Sequence, residues 1–293
     1  MTKEAFRQLT EKGIVLLDGA TGTNMMKAGM PRNACPEQWI LEQGGEAIKS
    51  LQKGYAEAGS QIVYAPTFSA NRVSLERHGL QNEVEKLNKG LAALTREAVG
   101  PDVLIAGDLT TPGEPLDPVG ELEEEELQEA YREQVSYLAE AGVDLIVAET
   151  LMDVREAEIA LKAVRQVSES LPFICTLTVT ESGRSIFGGS AVDLVKRLQD
   201  QGADAAGINC SMGPDTMAGI VANMAAVAKI PVIAKPNAGI PKSAPDGSSI
   251  YDMTPEYFAE CMEKIVDAGA GIIGGCCGTT PEFIRLLSQK FRS

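Results

Sequence analysis

Four stretches in the second half of the chain decide the fold: DLIVAET at 144–150, FICTLTV at 173–179, AAGINCS at 205–211 and PVIAKPNAG at 231–239. Each is a short run rich in Val, Ile and Leu, without the polar alternation of a half-exposed strand, as expected for strands buried on both faces of a parallel sheet. The same kind of run recurs towards both ends of the chain: IVLLDGA at 14–20, QIVYAPTF at 61–68, VLIAGDL at 103–109 and GIIGGCCG at 271–278, eight in all. Between them lie segments with helical spacing. Leu127, Tyr131, Val135 and Leu138 form one apolar stripe, and Met217, Ile220, Val221, Met224 and Val227 another.

Helix boundaries support the count. Thr254-Pro255-Glu256 and Thr280-Pro281-Glu282 each offer a capping hydroxyl, a proline at the first helical position and an acid near the positive end of the helix dipole. Gly142, Gly202 and Gly269 stand where preceding helices stop. The acidic run ELEEEEL at 121–127 falls on the opening turn of a helix, where carboxylates are favoured, and reads as a solvated face rather than an interaction tail. Strand and helix alternating eight times predict an α/β fold, a single-domain (β/α)8 TIM barrel over 1–293. The alternative is an open doubly wound sheet, but no G-x-G-x-x-G follows the first strand and no G-x-x-x-x-G-K-[ST] occurs. Long connections at 21–45, 69–82, 110–121 and 238–253 are expected to wall the barrel mouth.

Composition narrows the function. Twenty-six Lys and Arg against 41 Asp and Glu give a formal charge of -15, which repels nucleic acid and anionic membrane surfaces alike. The opening MTKEAFRQLTEK is charged and unlike a signal peptide, the cysteines are sparse, and no apolar run reaches membrane-spanning length, so a reducing cytoplasm is the expected compartment. His78 is the single histidine. Zinc sites built on several histidines are therefore excluded, and any transition metal rests on sulfur or oxygen. His78 itself, in RHGL near a helix end, reads as a surface or capping residue.

In such barrels the reacting groups lie where strands end. Those positions hold Asp18, Thr67, Asp108, Glu149, Thr178, Asn209 with Cys210, Asn237, and Cys276 with Cys277. Cys175 in a strand and Cys261 in a helix read as buried core thiols, and Cys35 in a polar loop is uninformative. Neighbouring strand residues point to opposite faces, so Cys276 and Cys277 can face one point only where the backbone leaves regular geometry, which Gly274, Gly275 and Gly278 permit. Two readings stay open here: inert core cysteines, or three thiolates from strands six and eight around zinc with a coordination position to spare. A zinc so held is a weak Lewis acid and suits a thiol substrate better than water. Asp18 and Glu149 are placed to hold an ammonium, and the amides of Gly19 and Ala20 to receive a carboxylate, together outlining an amino acid ending in a sulfhydryl.

The chain resembles the homocysteine S-methyltransferases, most closely the homocysteine-binding barrel of cobalamin-dependent methionine synthases. The likeness is carried by LLDGATGT at 16–23, FSANR at 68–72, ETLMD at 149–153, GINCSMGP at 207–214, PNAG at 236–239 and GGCCGTTPE at 274–282. It implies Zn2+ on Cys210, Cys276 and Cys277, the amino group of homocysteine on Asp18 and Glu149, its sulfur at the fourth position, and Asn237 at or beside that position when substrate is absent. Pro66-Thr67-Phe68 stands where relatives often read Asn-Thr-Phe, so the resemblance does not carry over any contact of that asparagine, while Thr67 is kept as a substrate-binding candidate. The cobalamin-type wording implies a methyl group delivered as methylcobalamin on a separate corrinoid protein. The alternatives are a stand-alone enzyme using S-methylmethionine or betaine, a zinc barrel lyase or hydrolase, and a noncatalytic docking module with Cys35 as a fourth zinc ligand.

Overall fold

A computed structural model describes residues 1–244 and 249–292. The eight expected runs all form strands: Val15–Leu16 (β1), Ile62–Tyr64 (β2), Leu104–Leu109 (β3), Leu145–Leu151 (β4), Phe173–Leu177 (β5), Ala205–Asn209 (β6), Val232–Lys235 (β7) and, after a small hairpin of Lys242–Ser243 (β8) and Ser249–Ile250 (β9), Ala270–Ile273 (β10). The eight pair in parallel in the order β1-β10-β7-β6-β5-β4-β3-β2. Chain order is preserved around the sheet because each crossover helix returns the chain on the same side.

An open sheet would leave β1 and β2 as free edges. Instead the N–H of Gln61 donates to the carbonyl of Leu16 at 2.8 Å. One step further, the N–H of Tyr64 donates to the Asp18 side chain at 2.8 Å. The sheet thus closes into a (β/α)8 barrel, and a carboxylate replaces the last rung of its seam.

Inward-facing residues alternate along each strand. Val15, Leu17, Ile62, Ala106, Leu145, Val147, Ile174, Ala205, Ile233 and Ile272 fill the interior, and Phe6 of the helix Lys3–Glu11 plugs it from the N-terminal end. The outward-facing residues pack against the helices in a second, larger cluster that includes the Leu127, Tyr131, Val135 and Leu138 stripe. Gly142, Gly202 and Gly269 follow their helices with φ of 78°, 89° and 111°, the left-handed stop that glycine adopts without a Cβ clash. Thr254 caps its helix through the Tyr257 N–H at 3.3 Å, whereas Thr280 makes no side-chain cap. The acidic run opens the helix Glu124–Glu140 as expected. Short helices occupy two of the long connections, Gly22–Lys27 and Pro36–Glu42 after β1 and Arg72–Glu76 after β2. The hairpin in 238–253 was not foreseen.

Candidate active site

Above the apolar interior, the next inward position of several strands is polar. Tyr64 lies two residues past Ile62, Asp108 two past Ala106, Glu149 two past Val147, Asn209 two past Gly207 and Lys235 two past Ile233. Because side chains repeat with period two, these residues form one layer at the C-terminal end of the barrel. Over it opens a pocket of about 420 Å³, reached by Asp18, Asp108, Glu149, Lys235, Cys210, Cys276 and Cys277 and walled by Met25, Met30, Pro31, Ile40, Pro66 and Phe68.

The three thiols of the rim converge. All three Sγ atoms lie within 4.8 Å of one another, and Cys210 and Cys277 are 3.9 Å apart. Tetrahedral zinc with bonds of about 2.3 Å sets sulfur pairs about 3.8 Å apart, so the trio needs only a small contraction to hold it. Local backbone brings this about. Cys210 and Ser211 leave β6 with φ of 59° and 62°, and Thr150, at the Glu149 end of β4, has φ of 60°. Non-glycine residues in this region are strained and persist where surrounding bonds impose them. The Ser211 hydroxyl supplies such bonds, pairing with the Thr178 hydroxyl and accepting the Val179 N–H at 3.2 Å. Cys276 and Cys277 lie beyond the end of β10, where the N–H of Cys276 donates to the Pro236 carbonyl at 2.7 Å and the carbonyl of Cys277 accepts the Ala238 N–H at 2.9 Å.

Without a cation these thiols resist ionisation. Cys276 lowers and Cys277 raises the Cys210 thiol, and burial adds to the rise, leaving it at about 11. Cys277 is lowered by Cys210 but raised by Cys276 and by burial, to about 12. Cys276 is held well above the ordinary thiol value by Cys210, with burial and the Glu149 charge adding to the effect. Three half-buried thiols that oppose one another's charge form a donor set that could hold a divalent ion. Asn237 fits the same picture: its Oδ1 is buried without a hydrogen-bond partner, one residue from the Ala238 contact to Cys277. Cys35 stands apart. Its Sγ donates to Glu37 at 3.4 Å and packs with Ala70, Leu75, Val84 and Leu87, so it does not complete a four-sulfur site. Cys175 and Cys261 are buried core residues, and His78 is exposed just past the helix Arg72–Glu76.

Asn209 organises the layer. Its side-chain oxygen accepts the Thr150 N–H and the Thr176 hydroxyl, each at 2.9 Å, which fixes the amide so that its nitrogen donates to Thr150 Oγ1 at 2.8 Å and faces Glu149 at 3.5 Å and the Cys276 sulfur at 3.8 Å. Sequence reasoning placed Asn209 at a strand end without a role. Lys235 was missed altogether, read only as part of an apolar run. Its Nζ lies 3.1 Å from Asp18 Oδ1, 3.4 Å from Glu149 Oε2 and 3.7 Å from the centre of the Tyr64 ring. Burial disfavours the Lys235 charge, but Asp18 and Glu149 more than compensate and hold its pKa well above the ordinary value. Burial raises both Asp18 and Glu149, and Lys235 pulls each back.

The other candidates separate. Gly19 and Ala20 line the pocket, but the Ala20 N–H already donates to Thr279 Oγ1 at 3.1 Å. Thr67 is buried outside the pocket lining, its hydroxyl donating to the Asp108 carbonyl at 2.9 Å and accepting the Asp108 N–H at 3.0 Å, so that it ties β2 to β3. A charged residue closing an apolar strand just before PNAG, inward by period two from Ile233, is the signal that would have found Lys235.

A closed parallel barrel with three convergent thiols on its C-terminal rim defines a (β/α)8 barrel with a candidate three-cysteine metal centre. The chain belongs to the homocysteine S-methyltransferase family, whose model matches residues 15–291. Similar curated proteins are the methionine synthases of Mycobacterium leprae, 27% identical over 93% of this chain, and of Mycobacterium tuberculosis, 28% identical over the same share. The chain spans about a quarter of their length, 24% in each case. Among solved structures, the homocysteine methyltransferase MmuM from Escherichia coli in its metallated form superposes with a TM-score of 0.80 at 24% identity, covering 97% of this chain and 99% of that one. That likeness supports the fold. Among the described residues, no helix is long and apolar enough to cross a membrane.

Proposed function

We propose that the chain is a zinc-dependent S-methyltransferase that binds homocysteine as a thiolate and methylates it to methionine, with the methyl group carried by a methylated corrinoid protein. The observation that carries the reading is the meeting of Cys210 and Cys277 sulfurs across 67 residues of sequence, with Cys276 beside them, in the pocket of a family member. Zinc, when bound by these cysteines, keeps a fourth sulfur deprotonated at neutral pH and leaves it nucleophilic.

The chain's own residues do the rest. The Gly19 turn faces the pocket to receive the acceptor's carboxylate, and Asn209 orients the Cys276 sulfur from behind. Met25, Met30, Ile40 and Phe68 exclude water from the approach to the sulfur. Transfer forms one S–C bond as the donor–methyl bond breaks, its electron pair leaving with the donor, so alignment of the two molecules is the main demand on the protein.

The donor assignment rests on the mouth. The large apolar residues most exposed among those described, Met26, Val119, Ile186, Ile240, Ile250 and Tyr257, all lie in segments that follow β1, β3, β5 and β7 at the C-terminal face. Such a rim suits a protein-borne donor better than a small free sulfonium. The test presents zinc-loaded protein and homocysteine with methylcobalamin, a methylated corrinoid protein, S-methylmethionine and betaine side by side. The corrinoid protein is expected to be the best donor; fastest turnover with S-methylmethionine or betaine would replace that part of the reading, and no turnover with any donor would remove it.

A further inference from the structure

The carboxylate pair expected to clamp the acceptor's ammonium already has an occupant. Lys235 Nζ sits between Asp18 and Glu149, 2% exposed, with its stem so close to Gly274 that a Cβ there would lie 3.1 Å from Lys235 Cγ. Both Asp18 oxygens are engaged, one by Lys235 and the other by the Tyr64 N–H. A second ammonium in that seat would meet Lys235 at contact distance, charge against like charge.

The layer nevertheless remains short of a donor. Asp108 is 4% exposed and reaches the same pocket, yet its Oδ1 has no hydrogen-bond partner. A buried carboxyl oxygen left unsatisfied is costly, and in a pocket it offers a ligand's donor group a place to bind. Asp108 and Glu149 lie on adjacent strands, each the next inward position above Ala106 and Val147, and Glu149 is the charge that weighs most on Asp108. Among the described residues, Asp18, Asp108 and Glu149 thus share one buried cation, Lys235.

We infer that in this chain the acceptor's ammonium is held between Asp108 and Glu149, one place around the barrel from the Asp18–Glu149 seat, which Lys235 fills. The inference rests on the homocysteine reading and deepens it. Asp108 becomes the specificity residue for the amino group, and Asp18 and Lys235 become a fixed ion pair that shapes the seat without touching the substrate.

The experiment compares homocysteine with 4-mercaptobutyrate, the same thiol acid without the amino group, binding to zinc-loaded protein. Calorimetry gives the affinity and X-ray absorption the number of sulfurs on zinc. Wild type is expected to bind homocysteine about tenfold or more tightly than 4-mercaptobutyrate, the scale of a lost hydrogen bond to a charged group. Asp108→Asn should weaken homocysteine by a similar factor and leave 4-mercaptobutyrate within about twofold. Asp108→Ser, which also removes the charge, should give the same pattern and guards against one variant misfolding. Equal losses for the two thiols, no selective loss in either variant, or a wild type that does not distinguish them would overturn the assignment. If neither thiol adds a sulfur to the zinc, the homocysteine reading itself fails.

Discussion

Zinc uptake by this site should depend on pH with a steepness that counts its ligands. With Cys210 at about 11, Cys277 at about 12 and Cys276 well above its ordinary value, all three are protonated thiols between about pH 6 and pH 8 in the metal-free protein. A thiolate site must expel all three protons on binding. Each proton contributes about 1.4 kcal/mol per pH unit, so three make the apparent affinity fall by about 4 kcal/mol, or about a thousandfold, for every unit of acidification. Competition against a chelator of known protonation behaviour at several pH values measures the slope. Calorimetry in buffers of different ionisation enthalpy counts the protons independently. A slope near one, or a single proton released, would mean that the trio does not act as a unit and would refute the reasoning from convergence to metal centre.

Replacing Cys210, Cys276 or Cys277 singly by alanine should remove stoichiometric zinc and methyl transfer while leaving the far-ultraviolet circular dichroism of the barrel unchanged; zinc retained at one per chain in all three variants would contradict the assignment. Lys235→Met should lower folding stability by about 3–5 kcal/mol, measured by urea unfolding, because it leaves two buried carboxylates without their cation. A loss below about 1 kcal/mol would show that Lys235 is not the charge that holds the layer together.

The barrel was legible because its signal is repeated. Eight apolar runs, each followed by a helical stripe, over-determine a parallel closed sheet, and runs such as FICTLTV and AAGINCS fall on β5 and β6. The thiol trio was legible because cysteines at strand ends can meet only at the rim. What escaped was the interior of the polar layer. Lys235 lies in PVIAKPNAG, where a lysine looks like the solvent-facing end of a strand, and only the inward period from Ile233 reveals that it is buried. Thr67 shows the converse: its strand end is on the rim, and its hydroxyl bonds the Asp108 backbone. Position along a strand is written in the sequence, whereas the choice a side chain makes between a backbone partner and the cavity depends on neighbours contributed by other strands.

Asp18 joins two tasks on one residue, since one oxygen fastens the closing staves of the cylinder through Tyr64 and the other steadies the lysine at the chamber floor. A change made there to suit a different guest would loosen the hoop as well. Variation in what this chamber accepts is therefore freer at Asp108, which joins no neighbouring stave through its side chain.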